Sequence, residues 1–169
     1  MEAVSPKPIP VKEVYEMTSI WRSVVHSSLL VCVLTISLVH ADEVGYKAHI
    51  KPIFEAKCVA CHGSTSPEYP EFKSNVERYT RENKGPRMDS YTYLIFFVGW
   101  PDTGAIMRRL DDGKNTRDGK PGNMYLYLGE REEEPQGNLA IFKKWVGNWT
   151  LKRWREISKE ELEAIKVRY

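Results

Sequence analysis

Cysteine and histidine are scarce, with three and four respectively in 169 residues. No second C-x-x-C and no H-x-x-x-H exists, so the donors that would close a four-ligand structural zinc site are missing. Neither sign of charge dominates: 25 Lys and Arg face 23 Asp and Glu, for a formal net charge of +2. That balance gives no bulk attraction to nucleic acid, and any docking must come from local patches. The apolar run from Leu29 to Val39 has only 11 residues. A helix crossing a hydrocarbon core about 30 Å thick needs about 20, so a membrane span is not expected. No internal repeat is visible.

What is present is concentrated in Cys58-Val59-Ala60-Cys61-His62. This C-x-x-C-H pattern is the attachment signature of a c-type haem. On a helical turn, two thiols three residues apart reach the vinyl groups along one haem edge, and the following imidazole reaches the iron as proximal ligand. That role needs a neutral His62 oriented by a hydrogen bond at its other ring nitrogen. A redox dithiol would open a helix after a βαβ-type strand, whereas the residues before Cys58 read as helix, and it leaves His62 without a role. The expected cofactor is one covalent haem c, and a single motif excludes a multihaem wire.

Met17 to Ala41 reads as a secretory signal peptide. Arg22 charges its n-region, Leu29 to Val39 is the apolar stretch, and Val39-His40-Ala41 is a small-x-small-like cleavage site that leaves Asp42 first. Residues 1–16 carry Pro6, Pro8 and Pro10 without an apolar period and read as an extension preceding a translation start at Met17. The expected organisation is therefore an extension at 1–16, a signal peptide at 17–41 and one domain at 42–169 in the periplasm. The alternative is anchoring to the inner membrane by an uncleaved signal. Cleavage removes Cys32, so Cys58 and Cys61 become the only mature cysteines. Charge is unaffected, because Lys7, Lys12 and Arg22 leave together with Glu2, Glu13 and Glu16.

Periodicity predicts an all-α domain. Tyr46, Ile50 and Phe54 form one helical stripe leading into the motif, with Pro52 where the helix starts or bends. Residues 63–90 hold Pro67, Pro70, Gly85 and Pro86 among many charges and read as a long loop with one helical turn near Ser74 to Thr80 and little core. Ser90 to Trp100 is apolar enough for a buried helix, although its aromatics also suit a strand. Thr103 to Leu110 is a short amphipathic piece closed by a turn at Asp111-Asp112-Gly113. Gly119 to Gly129 is a loop, and Glu132 to Trp149 a helix with Leu139, Phe142 and Trp145 on one face. A last helix starts at Ser158 with a capping box to Glu161. Basic residues Lys143, Lys144, Lys152, Arg153 and Arg155 alternate with Trp145, Trp149 and Trp154; they read as a solvated face with the aromatics turned to the core.

A helix immediately before C-x-x-C-H, one haem, a Pro-Gly-x-Met loop and a closing helix resemble the class I monohaem c-type cytochromes. The stretch IKPIFEAKCVACHG is similar to the haem segments of many periplasmic cytochromes, including small ones of metal-reducing bacteria. The resemblance implies a cytochrome c-like fold, a few helices and long loops around one haem, and an axial methionine. Met124, in Pro121-Gly122-Asn123-Met124-Tyr125, occupies the loop before the closing helix. Met88 and Met107 are the alternatives: Met88 if the Gly85-Pro86-Arg87 turn folds over the haem, Met107 if it is not simply core. His49 reads as a surface or capping residue. Tyr93, Trp100, Tyr125, Tyr127 and Trp145 are candidates for the pocket wall, and Arg87, Arg108 or Arg109 for a propionate partner.

The implied activity is electron transfer by a monomer, without substrate chemistry, between transient redox protein donors and acceptors. Such partners dock through interfaces below about 1,200 Å². Two other readings stay open: a haem enzyme or gas sensor with an open distal side, and a haem subunit docked permanently to a larger redox complex. A peroxidase-like site wants a distal His or Arg pair, and His49 is the only other mature histidine.

Overall fold

The computed structural model describes residues 43–169. The expectations for the extension at 1–16, the signal at 17–41 and its cleavage site lie outside the described residues. Among the described residues the structure is helical without a strand, and one isolated antiparallel bridge joins Gly147 to Ile165. No helix among them is long and apolar enough to cross a membrane.

A π-helical turn, Tyr46–Ile50, runs directly into α1 (Lys51–Lys57), and Pro52 lies in the first turn of α1. Proline is accommodated at this junction, where the π-turn gives way to the first turn of α1 and its fixed φ suits a helix start. The predicted stripe is real: Tyr46, Ile50 and Phe54 are all buried. The haem motif follows as α2 (Val59–His62), separated from α1 only by Cys58.

Residues 63–90 depart from the expected loop. They contain two short helices, α3 (Tyr69–Ser74) and α4 (Val76–Arg81). Pro70 sits in the first turn of α3, where it starts a helix rather than breaking one, and the Asn75 side chain caps α4 by accepting from Arg78 N–H. Nor is the region without core, since Tyr79 is buried beside Phe72 and Tyr69 packs edge-on against Phe97. In Ser90 to Trp100 only α5 (Tyr91–Ile95) is α-helical, started by the Ser90 cap. Turns follow it, yet Phe97 and Val98 stay buried.

α6 (Ala105–Leu110) buries Ile106, Met107 and Leu110. A 3-10 helix, Tyr125–Leu128, lies within the Gly119 to Gly129 loop. α7 (Glu134–Val146) is shorter than expected at both ends. Pro135 opens it, and Gly147, at φ 78°, stops it with a backbone conformation that other residues rarely adopt. Leu139, Phe142 and Trp145 share its buried face, as predicted, together with Val146. Full burial of each such side chain contributes about 1.5–3 kcal/mol. α8 (Lys159–Glu163) carries the predicted capping box between Ser158 and Glu161.

The C-terminal segment fastens these parts together. Lys166 and Val167 N–H donate to Val146 O and Trp145 O, and Arg168 O accepts from Tyr46 N–H at 2.8 Å and from Trp145 Nε1 at 2.7 Å. Tyr91 OH donates to Val167 O at 2.6 Å. Rings of Tyr46, Tyr91, Trp145 and Tyr169 meet around this junction at centroid separations of 5.2 to 6.5 Å. The helix that leads into the haem motif is thereby braced by both α7 and the chain's last residues.

Candidate functional site

Cys58 and Cys61 are both free thiols on one helical turn, with Cys61 N–H and His62 N–H directed at Cys58 O at 3.2 and 3.0 Å. Cys61 is exposed and Cys58 half-buried. Burial, then the neighbouring Cys61, pushes the Cys58 thiol up to about 11. The pair therefore lies on an accessible helical edge at the C-x-x-C spacing.

His62 is oriented from the side. Its Nδ1–H donates to Pro86 O at 2.8 Å, which sets the tautomer and leaves the Nε2 lone pair available to a metal. Burial holds the imidazole below its ordinary pKa, with the Pro86 carbonyl opposing, so the neutral, ligating form is favoured. Pro86 belongs to a strap of backbone along the motif: Gly85 N–H donates to Cys61 O at 2.8 Å and Met88 N–H to His62 O at 2.9 Å. Gly85 is essential to that approach. A Cβ there would lie 2.8 Å from His62 Nε2 and closer still to Cε1 and Nδ1. Ser66, itself buried, adds a hydroxyl bond to Cys61 O at 2.9 Å.

The three methionines stand in different settings. Met88 is tied by its backbone to His62, on the histidine side of the motif. Met107 has no exposed surface and lies within the core cluster. Met124 is half-buried on a loop strapped across the end of α6, where its N–H donates to Arg109 O at 2.9 Å. Gly122 N–H donates to Asp111 O at 2.8 Å, and Arg109 Nη1 to Asn123 Oδ1 at 2.9 Å. A Cβ on Gly122 would overlap the carbonyl oxygens of Arg108 and Arg109, so only glycine lets the loop lie this close.

Ion pairs bring the segment after Met124 to the motif. Lys57, adjacent to Cys58, pairs with Glu130 at 3.6 Å and Glu134 at 3.5 Å. Leu126 and Tyr127 stand 72% and 68% exposed on the 3-10 helix that packs against α1, so apolar surface is available near the thiols.

The remaining candidates divide. Trp145 is core, and Tyr93 is bound to Glu68 at 2.8 Å under the Arg87 guanidinium. Trp100 is exposed and Tyr125 half-buried. Arg87 is engaged with Asp89, and Arg108 with Asp102 and the carbonyls of Thr103 and Leu151. Arg109 is exposed with a neutral partner, Asn123, and keeps donors for a propionate. His49 is exposed and accepts from Gly45 N–H at 3.2 Å, a capping contact. In the basic C-terminal region Trp145 is buried and Trp149 half-buried beneath Lys143, but Trp154 is turned outward between exposed Arg153 and Arg155. Sequence reasoning missed the work of Gly85, Pro86 and Gly122. The Gly-Pro dipeptide was a visible turn signal, but its contact with His62 depends on the folded strap.

The sequence pattern of the PccH cytochrome c family matches residues 45–169. The solved structure of the monohaem cytochrome PccH from Geobacter sulfurreducens is 57% identical, with a TM-score of 0.72 over 76% of this chain and 100% of that one. No curated protein matches the chain. These likenesses support the cytochrome c-like all-α fold, one covalently bound haem c, and a haem-based electron carrier rather than an enzyme. A family match that spans the whole described domain, joined to a close structural relative and an intact attachment motif, places the chain in the PccH cytochrome c family of monohaem c-type cytochromes.

Proposed function

We propose that this chain is a periplasmic one-electron carrier in which Cys58 and Cys61 hold haem c through two thioethers, His62 Nε2 is the proximal ligand and Met124 Sδ the distal one. The haem, when bound, supplies an iron that alternates between Fe(III) and Fe(II). The protein's residues do the rest. Pro86 O fixes the His62 ring, the strap 85–88 keeps it from rotating, and the Gly122 to Met124 loop offers a thioether.

The observation that carries this reading is the contrast among the methionines. Met107 is enclosed by core atoms, whereas Met88 and Met124 are both half-buried on loops. The backbone of Met88 is bonded to His62 itself, while Met124 belongs to a separate loop strapped across the end of α6, which supports it as the donor to the face away from His62. A thioether donates more weakly to Fe(III) than an imidazole and raises the potential, which suits a carrier. Weak, transient donors and acceptors dock near the exposed Cys61 edge, and the monomer needs no permanent subunit.

Export accounts for the compartment: residues 17–41 serve as a cleaved signal after a start at Met17, and residues 42–169 are the mature domain. Intact mass of the protein from a periplasmic extract tests this. A mature N-terminus at Asp42 with one haem added is expected, and retention of residues 17–41 would mean an inner-membrane anchor instead. Optical spectra test the ligand set: a low-spin ferric protein with the weak red Fe–S(Met) charge-transfer band is expected. A high-spin protein that binds carbon monoxide rapidly would mean an open distal side.

A further inference from the structure

Asp111 is a buried ionisable residue for which electron transfer as described has no use. Its side chain is fully buried, and it has no ion-pair partner among the described residues. Four neutral donors replace water around it. Oδ1 accepts from Gly113 N–H at 2.9 Å and Asn115 N–H at 3.2 Å, while Oδ2 accepts from Asn115 Nδ2 at 2.8 Å and Trp149 Nε1 at 2.9 Å.

The backbone of the same residue holds two further parts. Asp111 N–H donates to Met107 O at 2.9 Å, closing α6, and Asp111 O accepts from Gly122 N–H at 2.8 Å, two residues before Met124. One residue therefore joins the end of α6, the methionine loop and the segment after α7. A purely structural turn does not need a buried carboxylate. A neutral Asn or Ser caps such a turn at far lower desolvation cost. Only an acceptor at both oxygens satisfies the Gly113, Asn115 and Trp149 donors together.

We infer that Asp111 is a positioning residue for Met124: its carboxylate locks the 111–115 turn against Trp149, and that turn's carbonyl fixes Gly122 and so sets how firmly the loop presents the methionine sulfur. This rests on Met124 as the distal ligand. Loosening the lock leaves the motif's own support untouched, because the bonds from Gly85, Pro86, Met88 and Ser66 to Cys61 and His62 involve neither Asp111 nor its partners. It lets the thioether leave more often.

The test uses the haem-loaded protein and three variants, Asp111→Asn, Trp149→Phe and Lys114→Ala. An amide at 111 cannot accept from all the donors, and Phe at 149 removes the Nε1–H donor while leaving an aromatic, though smaller, side chain. Asp111→Asn should weaken the red charge-transfer band and speed cyanide binding to the ferric protein by about tenfold, the usual scale for an outer-shell partner of a metal ligand. Trp149→Phe should shift both in the same direction by less, and it decides the matter alone if Asp111→Asn does not fold. Lys114→Ala, an exposed change on the same turn, should alter neither. Loss of thermal stability in Asp111→Asn and Trp149→Phe with wild-type band and cyanide rate would overturn the inference and leave Asp111 a structural residue. A red band absent from the unmutated protein, or unaffected by Met124→Ala, would instead show that the Met124 reading has failed, and this inference with it.

Discussion

His62 is held by backbone lying directly along the motif, with Gly85, Pro86 and Met88 contributing two main-chain bonds and one ring contact. Met124 depends on a longer chain of support that passes through Gly122, Arg109 and Asp111 to Trp149. The first arrangement has little room to relax, because a ring packed on a glycine backbone either fits or is expelled. The second can slacken by degrees. On the proposed ligand set, the histidine side is built for permanence and the Met124 loop for adjustment, a division that would suit a carrier whose potential is tuned by its weaker ligand.

The largest effect that sharpens this comparison is on attachment. Cys58→Ala together with Cys61→Ala should abolish haem retained on a denaturing gel and leave a poorly folded chain, since the haem supplies much of the core in so small a domain. Next, Met107→Ala should cost about 2–5 kcal/mol in denaturant unfolding by emptying a packed site, yet leave the haem spectrum unchanged. Gly85→Ala should cost about 1–3 kcal/mol through overpacking, and here the spectrum should change because the His62 ring must move. A Gly85→Ala protein with native stability and spectrum would break the claim that the histidine side is the rigid one.

The smallest effect concerns acid stability. Glu134 accepts from Glu130 N–H and Arg131 N–H and faces Lys57, which together hold its carboxyl down to about 2 from 4.5. A carboxyl depressed on folding adds stability that is complete above its unfolded pKa and is lost as pH falls toward the folded one. Glu134→Gln should therefore flatten the acid limb of the unfolding curve between pH 4.5 and about 2, with no change in the haem spectrum at pH 7. Because Glu134 and Lys57 tie α7 to the motif, a steeper acid limb in the variant would contradict this account of the join.

What was legible in the sequence follows the range of the interaction. The C-x-x-C-H motif, the Tyr46, Ile50 and Phe54 stripe, the α7 face and the Ser158 capping box are local patterns, and all appear in the fold as read. The helical turn expected near Ser74 to Thr80 falls on α4, but the helix at 69–74 was missed because the prolines there were taken as breakers, whereas Pro70 occupies a first turn. Trp154 was expected to turn inward with Trp145 and Trp149 and does not, since the stretch that carries it continues past α7 rather than lying on its face. Support for the site was hidden for the same reason. Pro86 lies 24 residues from His62 and Trp149 38 residues from Asp111, and no periodicity reports contacts at that separation.

The central proposal, that His62 and Met124 would be the two residues to hold the iron of a bound haem, is tested most directly by the ferric optical spectrum of Met124→Ala beside the unmutated protein, Met88→Ala and Met107→Ala. The account predicts a weak red Fe–S(Met) band in the unmutated, Met88→Ala and Met107→Ala proteins, and its loss in Met124→Ala together with a lowered potential and open ligand binding. Persistence of the band in Met124→Ala, with its loss in Met88→Ala or Met107→Ala, would contradict the ligand assignment.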